Sequence, residues 1–382
     1  MRISFRKSIT DSLLAKIRND ETMSRREQFN LIVQLSIPSI LAQVTTVLMF
    51  YIDAGMVGSL GAGPSAAIGL VEPATWLFLS LVTAGTMGFS VQAAHFIGAN
   101  DFPKARAVMR HGYAFGGLYS LFLLLVTFLI ADHLPAWLGG GRDIQHEASV
   151  YFLVFSLIIP FHLLEYTSAA MLKAAGDMRR PSIMAILMCL LDILFNYFFI
   201  FPTRTVLLLG ADMTMPGLGL GVAGAALGSL LAFVCAALPL TYYAIFRSPI
   251  LAWKQDVERF TWHWHYIGNA VKIGAPMALQ YLLMNGAQLV STMIVAPLGN
   301  IAIAAHSFAI TAESLCYMPG YGISEAATTL VGQSVGAGRP DLHRRFAWMT
   351  VSLGMAVMAF MGLIMSSASS ERSQRPWVTC VW

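Results

Sequence analysis

The stretch IPSILAQVTTVLMFYIDAGMVGSLG, residues 37 to 61, carries only one charged side chain, that of Asp53. A helix needs about 20 mostly apolar residues to cross the hydrocarbon core of a bilayer, so we predict that this stretch spans a membrane. An ionised carboxylate in hydrocarbon costs about 3 kcal/mol even on the mildest insertion scales. Asp53 therefore either serves the function of the protein or lies at the far interface, about 33 Å from Leu31 along a helix.

The composition of the whole chain extends this interpretation. Of 382 residues, 57% are hydrophobic and only 12% are charged, and the mean hydropathy is +0.65. These values are typical of a polytopic membrane protein and not of a soluble domain. The net charge of +4 does not indicate a nucleic-acid partner, because the Lys and Arg residues fall in alternate loops. The four cysteines are widely spaced, which predicts neither a disulfide framework nor a metal site.

Nine segments are long and apolar enough to be membrane-spanning helices. They are Leu31–Met56, Ala66–Ile97, Tyr113–Ala131, Val150–Leu172, Ser182–Phe201, Leu218–Phe246, Ile273–Leu298, Ile303–Val335 and Phe346–Met365. The second and eighth are too long for straight spans, and Pro73 and Pro319 allow them to kink. Basic residues concentrate in the lead-in and the even-numbered connections, which predicts a cytoplasmic N-terminus.

An internal repeat relates the two ends of the chain. IPSILAQ at 37–43 aligns with APMALQ at 275–280, and IGANDFPKAR at 97–106 aligns with VGAGRPDLHR at 335–344. Both alignments have one offset, 276 − 38 = 238, without a gap. Both copies start on the predicted cytoplasmic side, as in the parallel repeats of secondary transporters.

The repeat divides the chain into predicted parts. These are a cytoplasmic amphipathic lead-in (1–30), a six-helix lobe (31–247), an inter-lobe linker along the membrane surface (248–272), a partial second lobe of three helices (273–366) and a polar tail (367–382). Partners for spans four to six are expected near 373–483, so we expect a second lobe cut short, although a genuine nine-helix protein is the alternative.

Several motifs resemble the multidrug and toxin extrusion (MATE) family over nearly the whole chain. They are IDAGMVGSLG at 52–61, GAND at 98–101, LKAAGDMRRPS at 172–182, LDILFNYFFIF at 191–201, MPGLGLGVAGAALGS at 215–229 and GYGISEAATTLVGQSVGAG at 320–338. The resemblance implies an all-α fold of twelve helices in two six-helix lobes, of which about nine are present here. It also implies export of cationic, amphipathic small molecules driven by entry of H⁺ or Na⁺, with no other cofactor. The glycines at 218–228 are predicted to permit close helix packing, on the expectation that no strand precedes them.

Candidate ion-coupling residues are Asp53, Asp192 and Asn196. Asp53 matches the family's acid at the end of the first helix. Asp192 lies near the midplane of its span, and Asn196 follows one turn later on the same face, where the two could share an ion or proton. Related members tend to carry Asn then Asp, or Asn twice, at this spacing, so the reversed order here departs from the acid-bearing branch. A satisfied polar pair in helix packing is the alternative.

Candidate substrate contacts are spread over four predicted spans. They are Glu165, Glu313, Gln280, Tyr51 and Phe161. Glu165 could instead pair with Lys173 or Arg180, and the aromatic residues could be ordinary packing residues. Glu72 could face a cavity or lie at the membrane interface. Glu325 could be a second-lobe acid that binds a cationic substrate, or it could be solvated.

The predicted function is antiport by a monomeric, multi-pass protein of the bacterial inner membrane, with organic cations and the lipid bilayer as its partners. Flipping of a lipid-linked substrate is one alternative, although it predicts a more cationic cavity than spans without Lys or Arg can supply. A non-transporting remnant is the other. The spans contain no clustered His and acid motif or phosphate-binding loop, so we do not expect an enzyme.

Overall fold

The computed structural model describes residues 9–208, 211–255 and 261–373, and they are mostly helical. The helices are α1 (Ile9–Arg18), α2 (Arg25–Gly58), α3 (Ala62–Gly98), α4 (Phe102–Ile130), α5 (Leu134–Trp137), α6 (Arg142–Ser156), α7 (Ile158–Ala174), α8 (Arg179–Ile200), α9 (Gly221–Tyr242), α10 (Trp264–Val295), α11 (Asn300–Gly336) and α12 (Pro340–Ser373). The all-α membrane architecture predicted from the sequence is confirmed. Residues 374–382, most of the predicted polar tail, lie outside the described residues.

The predicted spans correspond to these helices. Within the described ranges, eight helical segments are long and apolar enough to cross a bilayer, with α6 and α7 together forming one of them. A ninth is formed by α11, whose two halves, Asn300–Ser314 and Cys316–Gly336, meet at 44°. Pro319 explains the position of this bend, because its ring clashes with the carbonyl four residues earlier in a straight helix.

The repeat is visible in the helix boundaries. α11 begins and ends 238 residues after α3, and α12 begins 238 residues after α4. The turns between these helices also match. Gly61 and Gly299, one offset apart, have φ values of 116° and 99°, and Asn100 and Gly338, likewise one offset apart, have φ values of 59° and 70°. The left-handed conformation of Asn100 and Gly338 is a common way to end a helix, and the backbone of Gly61 and Gly299 is one that glycine adopts most readily.

The two repeats pack around a local two-fold relation. α2 packs on α11, and their equivalents in the other repeat, α10 and α3, pack on each other. This is the pattern that a two-fold axis between the repeats produces. Where α3 and α11 meet, a Cβ atom on Gly98 would contact the carbonyl oxygen of Gln333, and one on Gly336 would contact the carbonyl oxygen of His95. These pairs are also related by the offset of 238. Glycine is required at both because the backbones touch.

A two-stranded hairpin corrects one expectation. Strands β1 (Pro202–Leu208) and β2 (Ala211–Leu218) pair antiparallel between α8 and α9. A strand therefore does precede the glycine-rich segment, and the sixth span begins at Gly221 rather than at Leu218. Apolar residues alone misplaced the boundary because MPGL continues the apolar run of the helix. The packing role of the glycines is confirmed, since a Cβ on Gly224 would lie 2.5 Å from the carbonyl oxygen of Phe199.

The lead-in folds onto one end of the helix bundle. The apolar face of α1, formed by Leu13, Leu14 and Ile17, is buried in one core cluster with residues of α2, α11 and α12. Asn100, in the turn before α4, donates a hydrogen bond to the carbonyl oxygen of Arg18 (3.1 Å). Arg339, in the turn before α12, donates to the carbonyl oxygen of Glu21 (2.6 Å). The amphipathic segment therefore joins the equivalent turns of both repeats.

The predicted linker packs against α4 over residues 248–255. Arg106 donates a hydrogen bond to the carbonyl oxygen of Ile250 (3.0 Å), and Arg110 donates to that of Trp253 (3.3 Å). His263 donates its backbone N–H to the Nε2 atom of His111 (2.8 Å). The contact of this segment with the membrane surface stays a prediction.

Candidate functional site

A cavity of about 320 Å³ lies between the helices of the two repeats. Its wall is formed by α2, α3, α6, α7, α8, α9 and α11. Among its lining residues are five carboxylic acids and one lysine, namely Asp53, Glu72, Glu165, Asp192, Glu325 and Lys173. A group of three or more His, Cys, Asp and Glu side chains that could hold a metal ion is absent from the described residues.

The three predicted ion-coupling residues meet in this cavity. Asn196 donates one amide hydrogen bond to Oδ1 of Asp53 and one to Oδ2 of Asp192, each with a donor–acceptor distance of 3.0 Å. Asp192 and Asn196 share one face of α8, and the packing of α2 on α8 brings Asp53 to them. The two carboxyl groups are also within hydrogen-bonding reach of each other. A hydrogen bond between two carboxyl groups requires a proton on one of them, so the arrangement can hold an exchangeable proton.

Helix α9 supports this cluster from behind. Gly228 faces Asn196 so closely that a Cβ atom there would collide with the Oδ1 atom of the amide. The next residue, Ser229, donates a hydrogen bond to Asp192. Among the described residues Oδ1 of Asn196 accepts no hydrogen bond. The amide is therefore held with its NH₂ group toward the two acids.

Glu72 forms a second polar group on the cavity wall. It lies on α3, and its Oε2 atom accepts a hydrogen bond from Oγ of Ser307 on α11 (2.8 Å). Trp76, one turn further along α3, also donates to this carboxylate. Of the two roles that the sequence left open for Glu72, the structure places it in the cavity.

One end of the cavity carries an ion pair between the repeats. Nζ of Lys173 on α7 lies 2.6 Å from Oε1 of Glu325 on α11, and both side chains are at most one quarter exposed. Thr329 and Gln333 of α11 donate hydrogen bonds to the carbonyl oxygens of Lys173 (2.9 Å) and Ala174 (2.7 Å). Glu165 lines the cavity near this pair. The ion pair of Lys173 is with Glu325, and that of Arg180 is with Asp177.

Four predicted substrate contacts lie outside the cavity wall. They are Tyr51, Phe161, Gln280 and Glu313. On α11 the lining residues include Phe308 and Thr311, and Glu313, two positions further, falls on the opposite, exposed side of the helix. No α10 residue is among those lining the cavity, and the side chain of Gln280 is exposed. Tyr51 is 41% exposed, and Phe161 is half-buried beside the lining residue His162.

Lys173 was missed as a cavity residue. The sequence places it in a cytoplasmic loop because Gly176 and Asp177 follow it directly. The structure continues α7 to Ala174, and the long aliphatic stem of a lysine at a helix end can carry its charge inward. The spacing of Lys173 eight residues after Glu165, on one helical face, is the signal that could have indicated this position.

Comparison with known proteins assigns the family. The MatE family profile matches residues 38–198 and 276–371, more than half of the chain. This chain belongs to the MATE family. The second match begins 276 − 38 = 238 residues after the first, which is the offset of the internal repeat.

The curated relatives of this MATE protein include proteins named "Probable multidrug resistance protein NorM". The one from Thermotoga maritima is 27% identical over 311 residues, which cover 81% of this chain and 64% of the relative. The one from Oceanobacillus iheyensis is 22% identical over 347 residues, which cover 90% of this chain and 75% of the relative. The chain thus spans less than two thirds of the length of the first.

Solved MATE structures share the fold. An outward-facing multidrug resistance MATE family transporter of the MOP superfamily superposes with a TM-score of 0.78 at 21% identity, covering 92% of this chain and 73% of that one. A MOP superfamily transporter from Pyrococcus furiosus, described as having a binding pocket of reverse polarity, superposes with a TM-score of 0.77 at 21% identity, covering 93% of this chain and 74% of that one. This likeness supports a multi-pass membrane fold.

Proposed function

We propose that this MATE protein is a secondary active antiporter that exports cationic, amphipathic small molecules in exchange for protons, with sodium as the weaker choice of ion. It works as a transporter and not as an enzyme, by rocking of its two lobes about the central cavity. The observation that carries the proposal is the double hydrogen bond of Asn196 to Asp53 and Asp192 on the wall of that cavity.

The geometry of this cluster suits ion exchange. A carboxyl pair that shares one amide donor can hold a proton, or release it and accept a sodium ion among its oxygens. The cluster joins α2 to α8, so a change in its protonation alters a contact between helices. One positive charge moving down 100 mV supplies about 2.3 kcal/mol, which is enough to drive useful export.

The polarity of the cavity supports a cationic substrate. Five acids and one lysine line it, so ionised side chains would give the wall a negative charge. A negative wall disfavours the pyrophosphate of a lipid-linked sugar and attracts an organic cation. This is the reason for preferring drug efflux to the flippase alternative.

The location and assembly belong to the same proposal. The basic lead-in and even-numbered connections favour a cytoplasmic N-terminus, and the NorM relatives support a bacterial inner membrane. We propose a monomer, because helices of both repeats of one chain line the cavity.

Ethidium efflux from energised membrane vesicles tests the function. We expect Asp53→Asn and Asp192→Asn to abolish efflux driven by an imposed proton gradient, and Asn196→Ala to reduce it. Glu313→Gln is the matched control, because this acid is exposed and lies outside the cavity. Repeating the assay with a sodium gradient at constant pH distinguishes the two ions.

Two results would contradict the assignment. Efflux that is unchanged in both aspartate variants would remove ion coupling from this cluster. Absence of ethidium efflux by the wild-type chain under either gradient, with the protein inserted and folded, would favour a non-transporting role.

A further inference from the structure

We propose that Glu72, Trp76 and Phe50 form a separate subsite for a planar aromatic cation, distinct from the cluster of Asp53, Asp192 and Asn196. This inference rests on the proposed function and assigns its substrate to one part of the cavity. All six residues line the same cavity, but the carboxylate and indole of the subsite come from α3, whereas the cluster comes from α2 and α8.

Among the residues that the structure describes, the carboxylate of Glu72 has hydrogen-bond donors but no cationic partner. Its two donors, the Ser307 hydroxyl and the Trp76 indole, are both neutral. Within the described part of the chain, no Lys, Arg or His forms an ion pair with it. A carboxylate in a membrane-embedded cavity is stabilised by a positive charge, and a cationic ligand supplies one.

Aromatic rings lie beside this carboxylate. Trp76 is one turn after Glu72, so the indole and the carboxylate occupy one face of α3. Phe50 of α2 packs against Trp76 edge-to-face, with ring centroids 5.3 Å apart. An indole face attracts a desolvated cation, so rings and carboxylate together favour an aromatic cation over a neutral aromatic molecule.

A close helix contact positions the hydroxyl that holds Glu72. Gly69, one turn before Glu72, faces Ser307 so closely that a Cβ atom on Gly69 would lie 2.9 Å from the Ser307 Cβ. The absence of a side chain at Gly69 lets α11 approach α3, and this approach brings the short serine side chain within reach of the carboxylate. The subsite is therefore built between the two repeats.

The subsite and the ion-coupling cluster are electrically linked without sharing a ligand. Tyr151 of α6 lines the same cavity and is within electrostatic range of Glu72, Asp53 and Asp192, so charges at the two groups act across one small space. Two positive charges in one small cavity repel each other. A cation at Glu72 therefore disfavours a second positive charge at the aspartate pair, which is the competition that antiport requires.

Equilibrium binding to the purified full chain in lipid nanodiscs tests this subsite without requiring transport. The probes are ethidium, a planar cation, and phenanthridine, its uncharged ring system at neutral pH. We expect Glu72→Gln to weaken ethidium binding about 10-fold or more, because the charge attraction is lost in a poorly solvated site. Phenanthridine affinity should change by less than about 2-fold, which is below 0.5 kcal/mol.

The controls separate a binding role from a structural one. Glu313→Gln removes an exposed acid and should leave both affinities unchanged, and Ser307→Ala should have a small effect because the charge remains. Equal loss of both probes in Glu72→Gln would show a structural role and overturn the subsite. Unchanged ethidium binding in Glu72→Gln, or no ethidium binding by the wild type, would overturn it as well.

The test also separates this inference from the proposed antiport. Asp53→Asn and Asp192→Asn should still bind ethidium, because these residues lie outside the subsite. If they also retain efflux while Glu72→Gln loses ethidium affinity, the coupling assignment fails and the subsite stands. If they lose efflux while Glu72→Gln binds ethidium normally, the reverse holds.

Discussion

The contact between Gly228 and Asn196 gives a quantitative prediction about the candidate site. A methyl group at Gly228 would collide with Oδ1 of Asn196, while its distance to the backbone N of the same residue would be 3.0 Å, a tight but tolerable contact. Gly228→Ala therefore acts mainly by displacing one side-chain amide. Since that amide bridges Asp53 and Asp192, the substitution should disturb the cluster without removing any of its groups.

The magnitude follows from two opposing effects. Overpacking by one methyl group costs about 1–3 kcal/mol, and replacing glycine by alanine inside a helix recovers about 0.5–1 kcal/mol. Gly228→Ala alone should therefore destabilise the protein by up to about 2.5 kcal/mol. In an Asn196→Ala background the amide is gone, and the same substitution should be neutral or stabilising by up to about 1 kcal/mol.

A double-mutant cycle measures this difference. Wild type, Gly228→Ala, Asn196→Ala and the double variant are unfolded thermally in one detergent, and the interaction free energy is taken from the four stabilities. We expect Asn196→Ala to rescue Gly228→Ala. An equal cost of Gly228→Ala in both backgrounds would refute the reasoning, because the methyl group would then be colliding with the backbone of α8.

Two further predictions concern contacts between the repeats. On α10, a Cβ at Gly274 would lie 2.6 Å from the carbonyl oxygen of Ala84, whereas one at Gly286 would meet nothing within 4 Å. An overpacking cost of about 1–3 kcal/mol in the free energy of unfolding should make Gly274→Ala melt about 2–6 °C below Gly286→Ala. Equal melting temperatures would contradict the close packing of α10 on α3. At the ion pair, Lys173→Glu and Glu325→Lys should each destabilise the protein by about 1–3 kcal/mol, between the limits for surface and buried pairs. The double charge swap should restore most of the loss in the same melting assay, and failure to do so would show that the two side chains do not act as a pair.

Much of the fold was predictable because membrane helices leave a strong local signal. Apolar runs marked the spans, and single landmarks such as Pro38 and Pro276 fixed the repeat. The hairpin between α8 and α9 was missed because its second strand, Ala211–Leu218, contains Pro216 and Gly217, which are typical of loops and not of strands. Its existence depends on pairing with β1 and not on local composition.

The candidate site was only partly predictable for a related reason. Asp192 and Asn196 could be paired because a helix places residues four apart on one face. Their meeting with Asp53 depends on how α2 packs on α8. Asp53 stood out as a lone acid in a span, but the family resemblance was needed to choose it among the other lone acids. Glu313 and Glu72 looked alike in the sequence, since each is a lone acid in an apolar run. The direction in which each helix face points separates them, and a single sequence does not record that direction.

The lead-in and the linker pack in equivalent ways on the two repeats. Leu13 of α1 belongs to the same core cluster as Phe346, and Leu251 of the linker belongs to the same core cluster as Val108. Leu13 and Leu251 are separated by one repeat, since 251 − 13 = 238. Val108 and Phe346 are separated by the same distance along the chain, since 346 − 108 = 238. The duplicated unit therefore includes its own short capping segment as well as membrane helices. A designer who grafts, permutes or swaps one half of such a protein should cut ahead of the cap rather than at the membrane boundary.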